Sequence, residues 1–104
     1  MRVRLKKSAK ADIERATVWY EKQRPGLGSE FVEHVREAID RLGENPGGYA
    51  KVIDEARRIN LRQFPYALFY TVEKDAIVIA CLHAKRNPVL VRERASGVIE
   101  MPEP

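Results

Sequence analysis

The sequence predicts an α+β domain: an N-terminal strand, an antiparallel helical hairpin, then a three-stranded antiparallel meander, all forming one small sheet with helices on one face. Three observations carry this. The first residues alternate apolar and charged side chains. The stretch from about 8 to 43 switches to a helical period, interrupted once by a Pro-Gly break. From about 56 to 83 the period returns to two, with β-branched and aromatic residues dominating. A helical stripe and a strand face each need an apolar partner, and layering one on the other satisfies both.

Taken in order, "RVRLK" places Val3 and Leu5 on one side and Arg2, Arg4 and Lys6 on the other, the pattern of a strand with one face buried. Ser8 is a candidate cap for the first helix. Ala9, Ile13, Ala16 with Thr17, and Tyr20 form its stripe, and the helix should end near Arg24 because Pro25 disfavours helix at the residue before it. Ser29 can cap a second helix over 29–43, with Phe31, Val35, Ala38, Ile39 and Leu42 as its apolar side. Gly43 and "ENPGG" end it. In "ARRINLRQF", Ile59 and Leu61 face one way and Arg58, Asn60 and Arg62 the other. "YALFYTV" (66–72) and "AIVIACLH" (76–83) read as strands joined by a turn at 73–76. The last is apolar on both sides, Ile77, Ile79 and Cys81 against Val78, Ala80 and Leu82, so it belongs at the centre of the sheet. Residues 1–94 form the single expected domain, and 95–104, rich in Gly, Pro and acid, the expected flexible tail.

Bulk properties narrow the function classes. With 19 Lys+Arg against 15 Asp+Glu the chain is mildly basic, and the excess is concentrated: residues 1–7 hold four cations and no acid, and 84–94 hold four cations and one acid. An anionic or acidic partner is expected. A single cysteine, Cys81 in an apolar run, excludes an internal disulfide and fits a reducing, cytoplasmic setting. The N-terminus has no apolar stretch after its charges, so no signal peptide or membrane span is expected. Two histidines and one cysteine offer no metal-ligand spacing, and no cofactor is called for.

The candidate chemistry lies in the second half. His83 ends a strand and could move protons, although the polar end of a buried strand is the simpler reading. Lys85 and Arg86 could hold a phosphate. Arg58, Asn60 and Arg62, at strand spacing of about 6.5–7 Å, could follow successive phosphates of an extended nucleic-acid strand. Trp19, Tyr20, Phe64, Tyr66, Phe69 and Tyr70 read as core, and only Tyr49, in a glycine-flanked loop, stays open as a stacking candidate. Glu30, Glu33 and Glu37 read as a solvated helix face.

The segments "WYEKQRPGLGSEF", "FPYALFYTVEKDAIVI" and "HAKRNP" closely resemble the RelE/ParE superfamily of toxins from bacterial type II toxin–antitoxin systems, over about residues 3–92. "PGLG" and the closing "HAKRNP" are more similar to the ParE branch. The resemblance implies a cognate antitoxin, a hetero-oligomer with it, and a target in DNA gyrase; in the RelE branch the target would be the ribosome and its mRNA, cut without a metal. That mechanism calls for cations along 58–62, an arginine opening the next strand, an arginine after the last strand and a late tyrosine. Arg58 and Arg86 fit, whereas Asn60 stands for a lysine, Ala67 for an arginine, and no tyrosine follows Arg86. Losing one charge-stabilising donor costs about 10²–10³ in rate. The resemblance therefore implies a ParE-like gyrase inhibitor that uses Arg58, Asn60, Arg62, Lys85 and Arg86 to bind its target. A nuclease using His83, Arg86 and Arg58, or an inactive homologue that only binds its antitoxin, is the alternative.

Overall fold

The computed structural model describes residues 1–84 and 88–96. Its elements run β1 (Val3–Leu5), α1 (Lys7–Gln23), α2 (Leu27–Glu44), a short 3₁₀ turn at Pro46–Gly48, β2 (Lys51–Ile53), β3 (Ala56–Asn60), β4 (Tyr66–Val72), β5 (Ala76–His83) and α3 (Pro88–Ser96). The expected pair of helices and the strands β3, β4 and β5 follow in that order, but the expected hairpin-and-meander layout is incomplete, because it lacks β2 and α3. The sheet is larger than expected, five strands in the order β1-β5-β4-β3-β2. It is mixed, because β1 runs parallel to β5, Val3 beside Ala76 and Leu5 beside Val78. β5 lies between β1 and β4, the inner position its two-sided apolar pattern predicts.

The expectation of helices on one face only is corrected. α1 and α2 cover one side, where Ala9, Ala16, Phe31, Val35, Ala38 and Leu42 meet Ile59, Leu68, Tyr70, Val78 and Cys81. On the other side α3 brings Val91, fully buried, onto Ala56, Ala67, Phe69, Ile79 and Ala80. Pro88 is the first residue of α3. Proline is favoured there, since its fixed φ suits a helix and its missing N–H would have no intrahelical partner. α3 runs on through Ser96, past the expected domain end at 94, and residues 97–104 of the expected tail lie outside the described residues.

Both expected serine caps are replaced. Ser8 lies inside α1, and its hydroxyl donates to the Ile79 carbonyl of β5 at 3.1 Å. α2 starts two residues before Ser29, after Gly26, whose φ of +91° only glycine adopts readily. Its first N–H groups are satisfied from α1: the Glu21 carboxylate accepts from Gly26 N at 3.0 Å and from Gly28 N at 3.0 Å. A carboxylate at a helix N-terminus also meets the positive end of the helix dipole. Gly28 is required by closeness, because a Cβ there would lie 2.9 Å from the Thr17 carbonyl.

β5 departs from strict alternation. Phe69 pairs with Ala80 but Tyr70 with Val78, leaving Ile79 as an extra residue. Ile79 and Ala80 consequently both face α3, while Cys81 turns to the hairpin side. A β-bulge of this kind reverses the facing of every residue beyond it.

Candidate functional site

The bulge decides where His83 goes. Unbroken alternation would set it on the same side as Ile77, the α3 side. Instead it pairs with Tyr66 on the hairpin side, ring centroids 5.9 Å apart. Arg58 pairs with Phe69 and Asn60 with Ala67, both on the α3 side. The Arg58 guanidinium is half-buried and lies 3.4 Å from the Ala84 carbonyl. His83 and Arg58 therefore stand at the same end of the sheet on opposite faces.

Arg62 leaves the row altogether. β3 stops at Asn60, and Gln63 in the left-handed region (φ 66°) turns the chain toward β4. The Arg62 guanidinium reaches the Glu37 carboxylate of α2 at 3.1 Å. Glu37 also binds Arg41 at 2.7 Å, and this bond, with the charges of Arg41 and Arg62, holds its carboxyl below the usual carboxylate range. Arg41 in turn donates to the Asn60 carbonyl at 3.0 Å. Glu37, read as a solvated acid, is thus the tie between α2 and the β3–β4 connection. The evenly spaced row Arg58, Asn60, Arg62 is corrected to a pair, Arg58 and Asn60, with Arg62 turned away. Lys85 and Arg86 lie outside the described residues.

On the hairpin side a groove of about 550 Å³ runs between α1 and the β4–β5 end, lined by Arg15, Ala16, Trp19, Tyr20, Tyr66 and His83 among others. Trp19 was expected in the core, but it is 55% exposed and meets Tyr20 edge-on at 5.1 Å. Tyr20 lies within 6 Å of Phe31, Phe64 and Tyr66, centroid to centroid, in an aromatic cluster that floors this region. Tyr49 is half-buried against the hairpin-side core, and its carbonyl takes a 2.6 Å bond from Arg57; it packs as core.

Sequence reasoning missed the most tightly organised polar group. Asp12 of α1 is 3% exposed. Its carboxylate accepts from the Cys81 N–H at 3.0 Å, Arg94 of α3 at 2.6 Å and Arg15 at 2.5 Å. The reason is topological. β1 covers β5 only from Ala76 to Val78, so the β5 edge beyond it needs other partners. Asp12 takes the Cys81 N–H, while Ser8 and Arg94 both donate to the Ile79 carbonyl. A signal existed in the sequence: Asp12 sits three residues from Ala9 and four from Ala16, inside the apolar stripe of α1. Cys81 is buried beside this cluster, and burial, with the Asp12 charge, pushes its thiol up to about 12. Among the described residues no group of His, Cys, Asp and Glu could hold a metal ion, and no helix is long and apolar enough to cross a membrane.

The helical hairpin lies over a small mixed sheet, and of the expected site cations Arg58 is directed at a carbonyl and Arg62 at a carboxylate. Comparison with known proteins is specific. The family model described as "ParE toxin of type II toxin-antitoxin system, parDE" matches residues 3–88. The chain belongs to this ParE toxin family, and is the toxin component of a type II toxin–antitoxin system. Among solved structures it is similar to a chain of the "Chromosomal ParDE TA system from P. aeruginosa", 19% identical, with a TM-score of 0.70, covering 80% of this chain and 95% of that one. That likeness concerns the fold. No curated protein matches significantly.

Proposed function

We propose that this toxin acts on DNA gyrase, as a docking poison that traps the enzyme with its DNA cleaved, and that a cognate antitoxin neutralises it by binding. The observation that carries this reading is the match to the ParE branch across residues 3–88. The geometry supports binding over cutting. A metal-independent cut needs proton transfer and charge stabilisation at one phosphate, whereas His83 and Arg58 face opposite sides of the sheet. Ala67 sits beside Asn60, where the cutting branch would bring arginine and lysine together. In this reading Arg58 and Asn60, with Lys85 and Arg86, which follow them in the sequence, bind the target; Arg62, tied to Glu37, stands apart from Arg58 and Asn60.

The test is a paired assay with purified protein. Gyrase supercoiling should fall and linear DNA should accumulate, while message on translating ribosomes stays intact. Message cut in the ribosome with gyrase unaffected would transfer the chain to the nuclease reading, and no effect in either assay would leave an antitoxin-binding homologue.

A further inference from the structure

We infer that the β1 edge and the first turn of α1 form a second, separate site, which binds the phosphate backbone of duplex DNA. Arg2, Arg4, Lys6, Lys7 and Lys10 are the only ionisable side chains before Asp12, and all five are cations. Val3 and Leu5 pack into the hairpin-side core, so Arg2, Arg4 and Lys6 alternate onto the other side at strand spacing, about 6.6 Å per step. Arg4 lies within β1, Arg2 directly before it and Lys6 directly after it, at the N-cap of α1. β1 is the last strand of the sheet on its side, with no described strand beyond it. Arg2, Arg4, Lys7 and Lys10 are exposed. Arg4, Lys6 and Lys7 line a groove of about 440 Å³ with Leu5, Ile77 and Glu73.

Among the described residues, the acids near the exposed Arg2, Arg4, Lys7 and Lys10 do not neutralise them. Asp75 approaches Arg4 only to 3.9 Å, with the Arg4 side chain 61% exposed, and a pair of that kind contributes little. Glu73 also lines the groove, one carboxylate beside the exposed cations Arg2, Arg4, Lys7 and Lys10. Asp12 is buried and already bound to Arg94 and Arg15. The cations are also placed against local preference. α1 has no acid in its first turn and no side-chain cap, while Lys7 and Lys10 stand where the helix dipole disfavours positive charge. Local rules are broken most often where function requires it. A polyanion laid along β1 would offset that repulsion and release its own counterions. Duplex DNA is the occupant chosen because the proposed target works on it. The inference in that respect rests on the gyrase reading, but its test contains no gyrase, so each can fail alone.

The experiment is polarisation of a fluorescein-labelled duplex DNA of arbitrary sequence, titrated with the full chain over a range of salt. Two triple variants of equal net charge are compared: Arg2→Ala/Arg4→Ala/Lys7→Ala at the patch, and Lys22→Ala/Arg24→Ala/Arg36→Ala on the hairpin. All six side chains are exposed, and unchanged melting temperatures confirm folding. The patch variant should flatten the log–log salt dependence by about 3, near 0.9 per lost phosphate contact. The hairpin variant should bind as the parent does. Equal losses in both variants would reduce the effect to net charge and overturn the site. Absence of binding at low salt would overturn it too, as would binding to phosphatidylserine vesicles in place of DNA.

Discussion

Asp12 offers the sharpest structural prediction. Truncation to alanine removes the carboxylate that faces Arg94, whose own side chain is 11% exposed. Stranding a buried charge costs about 3–5 kcal/mol, and the lower end applies here because Arg94 keeps its bond to the Ile79 carbonyl. The Cys81 N–H also loses its acceptor, at about 1–3 kcal/mol. Since these losses share one site they do not simply add, and about 4 kcal/mol is expected. For a domain of this size that corresponds to a fall in Tm of about 15–30 °C. Asp12→Asn keeps an acceptor for the N–H and should cost about half as much. Arg94→Met should cost less again, because Asp12 retains Arg15 and the Cys81 N–H. Asp12→Leu combined with Arg94→Met should be more stable than Asp12→Ala, no charge being stranded. Urea and thermal unfolding of the four variants give the ranking. A cost below about 1 kcal/mol for Asp12→Ala, or a larger cost for Arg94→Met than for Asp12→Ala, would refute the assignment of Asp12 as the seal of the β5 edge.

Further outcomes are expected at three residues. Cys81, buried with its thiol pushed up to about 12, should resist alkylation at pH 8 until the chain unfolds; labelling of native protein at the unfolded rate would contradict this. Because the folded value lies above the unfolded one, the protonated thiol's contribution is complete below the unfolded pKa. It is lost as pH rises toward about 12, which urea midpoints across that window would register. Glu21→Ala removes the acceptor for Gly26 and Gly28 and should cost about 1 kcal/mol, as lost helix caps do, while Glu21→Gln keeps part of it. Tyr70→Phe strands the Pro46 carbonyl that its hydroxyl reaches at 2.7 Å and should cost about 1 kcal/mol in the same assays.

The parts of the fold legible in the sequence were those with long, regular periods. The stripes of α1 and α2 and the apolar runs of β4 and β5 each bury what their spacing promises. β2 and α3 were not legible for local reasons. β2 is three residues long, too short to establish a period, and α3 opens on a proline whose ambiguity only tertiary contact resolves. The candidate site was read through parity, and parity fails wherever one residue is inserted. The bulge at Ile79 turns His83 to the hairpin side, and the left-handed Gln63 turns Arg62 toward Glu37. Neither position carries a glycine, the usual mark of such departures. Asp12 was the opposite case: its place in an apolar stripe was visible, but its partners, Arg94 and the Cys81 N–H, come from 82 and 69 residues away.

As proposed, this toxin harms its host through gyrase and a cognate antitoxin silences it. Incubation of gyrase and relaxed plasmid with the purified chain, with and without a cognate antitoxin, tests this in one gel. Linear plasmid and lost supercoiling are expected with the chain alone, and normal supercoiled product once the antitoxin is added. Full supercoiling at every concentration of the chain would contradict it.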